Sequence, residues 1–239
     1  MATGVQVVVP MKPLAESKSR LARGPSTLRL RSGQAGSGRG LSAERRALLS
    51  LGMLAAVLRA AHAAEGVAAV TVVGGDDAVR ELSARLGAGF QTEPAAGLNE
   101  SLAAVLREAS RAGWEATLYL PADLPLVEPG DVEALLAASG SGRRIVVAPD
   151  RRDEGTNALL VPAGVAFVPA FGERSFARHA DQAARLGVEW RAWRSEGLGL
   201  DVDTPADLAA LLERAPTWWE ETEATLSELM PAGLRTSAF

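Results

Sequence analysis

Short apolar runs that alternate with stretches of helical period leave this chain few folds to choose from. Val5-Gln6-Val7-Val8-Val9 is closed by Pro10, Ala69-Val70-Thr71-Val72-Val73 by Gly74-Gly75, and Thr117-Leu118-Tyr119-Leu120 by Pro121. Compact β-branched runs of this kind read as strands buried on both faces. Between them the period changes: Leu51, Leu54 and Leu58 recur at helical spacing within 42–64, with Ser42 as N-cap and Glu44 in the first turn. Asp76 is placed to cap a helix running to Leu86, and 99–111, 132–138, 174–186 and 205–214 read as further helices, the last with Pro205 in its first turn. Residues 145–148, 158–161 and 188–193 read as extended. The fold class that follows is α/β: one mixed, mostly parallel sheet with helices on both faces. The close spacing of 145–148 and 158–161 predicts an antiparallel excursion within it.

A hydrophobic content of 47% in 239 residues is enough for one large or two small domains, and the rhythm assigns residues 1–214 to one. Two stretches fall outside it. Residues 24–40 are rich in Gly, Ser and Arg, hold no acidic side chain and show no period, so a disordered insertion is expected. The tail 215–239 carries Trp218 and Trp219 and then a weakly amphipathic run to Met230. It reads as an accessory helix, packed on this domain or forming a homodimer contact. No apolar run approaches the roughly 18 residues of a membrane span, and Met1-Ala2-Thr3-Gly4 lacks the pattern of a secretory signal, so a cytoplasmic protein without membrane partners is expected. The absence of cysteine excludes disulfides, thiolate metal sites and a cysteine nucleophile. A net charge of −4 argues against a general nucleic-acid binder. With only His62 and His179 available, chemistry falls to carboxylates, lysine, arginine and backbone amides.

Two segments place aspartates where an apolar run meets proline: Pro121-Ala122-Asp123-Leu124-Pro125 and Asp201-Val202-Asp203-Thr204-Pro205. The carboxyl ends of strands in an open parallel sheet are where ligands bind. Two carboxylates gathered there would hold magnesium, which usually accompanies phosphates. The plainer roles are helix caps, Asp123 for a helix near Glu128 and Asp203 for the one at Pro205. After the first strand comes Pro10-Met11-Lys12-Pro13-Leu14-Ala15-Glu16-Ser17-Lys18-Ser19-Arg20-Leu21. Its cations Lys12, Lys18 and Arg20 would suit a triphosphate, or lie on a solvated loop. The loop is neither a P-loop nor a Rossmann glycine motif.

Three weaker signals complete the inventory. The turn from Asp150 to Ala158 delivers the Thr156 hydroxyl and the Asn157 amide into a strand. Phe171-Gly172-Glu173-Arg174-Ser175-Phe176 leads into a helix whose first N–H groups, with Ser175, would bind an anion; capping is the alternative role for Ser175. His179, one turn on, reads as a helix-surface residue. In Glu93-Pro94-Ala95-Ala96-Gly97-Leu98-Asn99, Gly97 permits close backbone approach and Asn99 would cap a helix or read a base edge.

In chain order, Pro10-Met11-Lys12, Lys18-Ser19-Arg20-Leu21-Ala22, Gly97-Leu98-Asn99-Glu100-Ser101-Leu102, Leu120-Pro121-Ala122-Asp123-Leu124-Pro125-Leu126, the Gly155-Thr156-Asn157-Ala158 turn, Phe171 to His179 and Leu200 to Leu208 form a series that resembles the phosphoenolpyruvate / 2-phospho-L-lactate guanylyltransferases of coenzyme F420 biosynthesis. The likeness covers about 5–23 and 41–214. It implies a glycosyltransferase-A-like nucleotidyltransferase sheet and transfer of GMP from GTP to a small phosphorylated acid with release of pyrophosphate. By that resemblance Lys12, Lys18 and Arg20 face the triphosphate, Gly97 and Asn99 lie near the nucleotide, and Asp123 and Asp203 hold Mg2+, with Asp201 as support. Thr156, Gly172 and Ser175 match the positions that grip phosphoenolpyruvate. The segment 24–40 departs from the family pattern as an insertion, in which Arg29, Arg31 and Arg39 would be the residues able to touch phosphates.

Other readings compete. A molybdopterin-type nucleotidyltransferase shares the late Asp-x-Asp-Thr-Pro signal but begins with a glycine-rich loop where this chain has Pro10-Met11-Lys12-Pro13. A nucleotide-sugar glycosyltransferase would want Asp-x-Asp at Asp123, where Pro121-Ala122-Asp123 offers one carboxylate. A nucleotide-binding regulatory module would carry the same residues without turnover. Between phosphoenolpyruvate and 2-phospho-L-lactate the residues do not decide. The Ala-, Arg- and Gly-rich composition fits a high-GC bacterium, and bacterial members of the family favour phosphoenolpyruvate.

Overall fold

The computed structural model describes residues 4–23, 40–95, 97–140 and 143–230. Its strands are β1 (Val5–Pro10), β2 (Val67–Val73), β3 (Gly89–Gln91), β4 (Ala116–Tyr119), β5 (Ile145–Pro149), β6 (Thr156–Pro162) and β7 (Trp190–Ala192). Its helices are α1 (Ala43–Ala63), α2 (Asp77–Arg85), α3 (Leu98–Ala112), α4 (Pro129–Ala138), α5 (Ser175–Arg185), α6 (Glu196–Gly199), α7 (Pro205–Arg214) and α8 (Trp218–Leu229).

The strands form one sheet in the order β3-β2-β1-β4-β6-β5-β7. β1 is parallel to both β2 and β4, β2 to β3, and β5 to β7, while β6 runs antiparallel to β4 and β5. The expected excursion is therefore the single strand β6. Both faces are covered, which is why the strands read as unbroken apolar runs. Val7 and Val9 pack with Leu51, Leu54 and Leu58 of α1 on one face, and Val8 packs with Leu102, Val105 and Leu106 of α3 on the other.

Local signals set the helix ends where they were expected. The Ser42 hydroxyl accepts from the Arg45 N–H at 3.2 Å, and Asp76 caps α2 through the Val79 N–H at 3.2 Å. The short edge strand β3 and the four-residue helix α6 were not anticipated, and β7 occupies only the middle of 188–193. Edge strands and single turns hold their shape through neighbours rather than through a period of their own.

By length and composition α1 would reach across a bilayer, but its apolar character faces the sheet and α8, with Leu49, Leu54 and Leu58 fully buried. The tail helix α8 belongs to this domain. Trp218 and Trp219 are buried against Leu49, Met53 and Leu208, so neither indole is a free dimer surface. A Cβ at Gly52 would collide with the methyl of Thr222, so glycine is what lets α8 lie so close to α1. Residues 24–39, which hold the proposed insertion and Arg29, Arg31 and Arg39, lie outside the described residues. The residues on either side of that segment meet: the Leu41 N–H donates to the Leu21 carbonyl at 2.9 Å.

Candidate active site

Beyond the carboxyl end of β1 the chain makes two 3-10 turns, Leu14–Glu16 and Ser19–Arg23. Asp76 anchors the first of them. While one of its carboxylate oxygens caps α2, the other accepts from the Leu14 N–H at 2.8 Å. Between the turns Lys18 adopts the left-handed conformation at φ 52°, which is uncommon for a residue with a side chain. That backbone turns the Lys18 ammonium inward, where its side chain is 9% exposed.

The ammonium meets both aspartates. Lys18 Nζ lies 2.9 Å from Asp123 Oδ2 and 2.8 Å from Asp203 Oδ1. The loops carrying the carboxylates are also joined directly, since the Val202 N–H donates to the Asp123 carbonyl at 3.1 Å. Helix capping explains neither aspartate. α4 is capped by Glu128 in a capping box with Asp131, and α7 by Thr204 in a capping box with Asp207. The buried Asp207 also pairs with Arg151 and accepts from the Asp203 N–H at 3.2 Å, so the scaffold beneath Asp203 is held by another carboxylate.

Electrostatics follow the packing. Burial pulls the Lys18 pKa down, but the charges of Asp123 and Asp203 outweigh it and hold the ammonium above its ordinary value. Burial raises Asp203, yet Lys18, then Arg20 and Lys12, bring its carboxyl below the usual range. Asp201 goes the other way: burial and the neighbouring Asp123 charge push it up, partly offset by the Asn157 amide donating at 3.3 Å.

Lys18, Asp123 and Asp203 line a cleft of about 670 Å³ at the carboxyl ends of β1 and β4, together with Lys12, Arg20 and Gly97. Arg20 Nη1 is 4.0 Å from Asp203 Oδ2 with its side chain 76% exposed, so it remains available to a ligand. Gly97, at φ 111°, is the N-cap of α3, a conformation suited to a residue without Cβ. Among the described residues no group of three or more His, Asp or Glu side chains gathers as a metal site. Magnesium bound with phosphates usually needs only one or two carboxylates, the remaining ligands being water and phosphate oxygen. Two carboxylates already sharing one cation fit that donor set.

The other expected site residues form a second cluster, adjoining the cleft through Phe171, which lines it. Asn99 neither caps α3 nor points an idle amide: it donates to the Phe171 carbonyl at 3.1 Å and accepts from the Phe171 N–H at 2.7 Å. Ser175 is buried but is not a side-chain cap, since Arg174 holds that position in the left-handed conformation. The first N–H groups of α5 are engaged, Ser175 with the Gly172 carbonyl at 3.1 Å and Phe176 with that of Glu154 at 3.2 Å. Thr156 is buried and its hydroxyl lies 3.0 Å from His179 Nδ1.

His179 corrects the expectation of a surface residue. It is fully buried, and its Nε2 accepts from the Ala170 N–H at 2.8 Å. Burial, reinforced by the Arg178 charge, lowers its pKa to about 4, so the ring is neutral. The signal for this was present in the spacing: Ser175, His179 and Ala183 recur every four residues and form the buried stripe of α5.

Comparison with known proteins places the chain in a family. Residues 5–214 match the model of the family described as guanylyl transferase CofC like. The phosphoenolpyruvate guanylyltransferase of Sphaerobacter thermophilus is 42% identical over 209 residues, 87% of this chain and 93% of that protein. The 3-phospho-D-glycerate guanylyltransferase of Phenylobacterium zucineum is 37% identical over 190 residues, 78% of this chain and 86% of that protein. A nucleotidyl transferase from Methanothermobacter shares the fold with a TM-score of 0.58 at 18% identity, covering 88% of this chain and 97% of that one. The sheet is thus of the glycosyltransferase-A-like nucleotidyltransferase type, and the chain belongs to the guanylyl transferase CofC-like family.

Proposed function

We propose that this protein transfers GMP from GTP to phosphoenolpyruvate, releasing pyrophosphate and giving enolpyruvyl-diphospho-guanosine for coenzyme F420 biosynthesis. The observation that carries the reading is the cleft in which Lys18 bridges Asp123 and Asp203 beside Lys12 and Arg20. It combines a carboxylate pair for a divalent cation with a cationic loop for phosphates. The 42% identical relative named for the same reaction supports the choice of acceptor.

The chemistry asks little of the chain beyond placement and charge. An acceptor phosphate oxygen attacks the α-phosphorus of GTP. The bond from that phosphorus to the oxygen bridging to the β-phosphate breaks, and pyrophosphate leaves with the electron pair. A phosphate monoester has a second pKa of about 6 and is already largely ionised at neutral pH, so no general base is needed. The histidine near the cleft, buried and held by two partners, is not asked to be one. Lys12 and Arg20 neutralise the triphosphate, and Lys18 turns from the carboxylates to the phosphates when nucleotide enters. Mg2+ held by Asp123 and Asp203 would neutralise charge on the transferring and leaving phosphates. Gly97 offers a backbone without Cβ to the nucleotide, and Thr156, Gly172 and Ser175 hold the acceptor.

A second reading keeps the donor and changes the acceptor, to 3-phosphoglycerate, favoured by the 37% identical relative of that name; 2-phospho-L-lactate is the remaining choice within the family. One assay separates them. Pyrophosphate release is followed with GTP and Mg2+ and each of the three acids in turn. Phosphoenolpyruvate is expected to give the highest kcat/KM. Release with none of them would leave a nucleotide-binding module in place of an enzyme.

A further inference from the structure

Phe171 stands where the nucleotide side of the cleft meets the proposed acceptor turn, and it is held unusually firmly. Asn99, on α3, grips both backbone groups of this one residue, accepting from its N–H at 2.7 Å and donating to its C=O at 3.1 Å. The preceding N–H, of Ala170, donates to His179 Nε2 at 2.8 Å. A ring nitrogen that accepts carries no proton, so the proton of the neutral imidazole sits on Nδ1 and is donated to Thr156 Oγ1 at 3.0 Å. Two consecutive peptide N–H groups are therefore fixed by side chains from two different helices. The Phe171 ring completes the hold, edge-on to Tyr119 at 6.3 Å and to His179 at 5.1 Å. Tyr119 in turn donates to the Leu102 carbonyl of α3 at 2.9 Å. Gly172 follows at once, at φ 112°, and opens the turn into α5.

We propose that Asn99 and His179 are positioning residues that fix the acceptor turn Gly172–Ser175 against the nucleotide side of the cleft, so that Asn99 serves acceptor placement and not base recognition. The proposal rests on the reading that Thr156, Gly172 and Ser175 hold the acceptor. To read a purine edge with the atoms it now uses, Asn99 would have to release both backbone groups of Phe171, leaving the N–H unpaired beside the core and the C=O with Arg178 alone, which donates at 3.2 Å. A turn carrying one of two reactants must be set closely, because a displacement of about 1 Å can cost on the order of 100-fold in rate.

The test uses the full chain in bisubstrate kinetics with GTP against ATP and phosphoenolpyruvate, alongside amide hydrogen exchange of residues 168–176. Losing two neutral hydrogen bonds in Asn99→Ala is expected to raise the acceptor KM by roughly 10-fold or more, with the GTP KM and the preference for GTP over ATP unchanged and the Phe171 amide exchanging faster. His179→Leu should behave alike at Ala170. His179→Gln, whose amide can accept from Ala170 and donate to Thr156, should restore much of the acceptor affinity. A change in GTP KM or in base preference as large as the change in acceptor KM would overturn the proposal. So would a Phe171 amide indifferent to Asn99→Ala. If the unmodified chain transfers nucleotide to no phosphorylated acid, the reading of the site fails and the positioning role with it; the exchange data then report separately whether the hold on Phe171 exists.

Discussion

Replacing Lys18 by methionine should separate the two jobs its position implies, cation for the carboxylates and cation for the phosphates. Breaking a buried ion pair by removing one partner costs about 3–5 kcal/mol. Here the Asp123 and Asp203 side chains are 28% and 45% exposed, so solvent screens the stranded carboxylates and roughly 1–3 kcal/mol remains. In a chain of this size about 2–4 °C of Tm accompanies each kcal/mol, giving a fall of roughly 2–12 °C. Added magnesium or manganese should then stabilise Lys18→Met more than the unmodified protein, whose ammonium must first be displaced. A cation at about 100 times its Kd contributes about 2.7 kcal/mol. The assay is thermal unfolding of both proteins with and without the metal, followed by turnover, which should drop by about 100- to 1,000-fold through loss of a charge aimed at the phosphates. Equal stabilisation of both proteins by metal, or an unchanged Tm without it, would refute the idea that Lys18 and the cation share Asp123 and Asp203.

Asp123→Asn should nearly abolish turnover while leaving far-UV circular dichroism unchanged and lowering the unfolding midpoint less than Lys18→Met does, because Asp203 still pairs with Lys18 and α4 is capped by Glu128; near-normal pyrophosphate release would remove Asp123 from the metal site. Acid should weaken the fold through His179, whose folded pKa of about 4 lies below the unfolded value of about 6.5. The unfolded chain takes up the proton first, so this penalty is absent above about pH 6.5, grows as pH falls towards about 4, and reaches about 2 kcal/mol at pH 5; comparing denaturant midpoints at pH 7 and pH 5 for the unmodified chain and His179→Gln should show a shallower loss in the variant. Deleting residues 24–39 should leave Tm and GTP KM unchanged, since Leu21 and Leu41 already meet beside the segment. A raised GTP KM at unchanged Tm would instead assign Arg29, Arg31 or Arg39 to the phosphates.

Local chemistry made much of the architecture legible. Ser42 and Asp76 mark helix starts because a side-chain oxygen beside an apolar period has few other uses, and α7 begins at Pro205 because that ring forbids an earlier turn. The strands showed because burial on both faces removes polar alternation. The three-residue strands β3 and β7 were harder to see, their shape being imposed by β2 and β5. The candidate site was half legible. Asp123, Asp203, Lys12, Lys18 and Arg20 stand at strand ends and in one loop, where residue type and position are informative. His179 and Asn99 lie on helices, where only a partner far away in the chain reveals a function.

From its sequence alone the chain had determined its alternation of strands and helices, its closed set of usable chemistries and the two aspartate segments that end apolar runs. All of these rest on neighbours within a few positions. The tertiary structure decided that Asp123 and Asp203 meet at one ammonium, that α8 with Trp218 and Trp219 covers its own domain, and that Asn99 reaches Phe171 across 72 positions. Such contacts form only when parallel strands bring their carboxyl ends to one edge, and no local pattern of residues encodes which distant side chain will be waiting there.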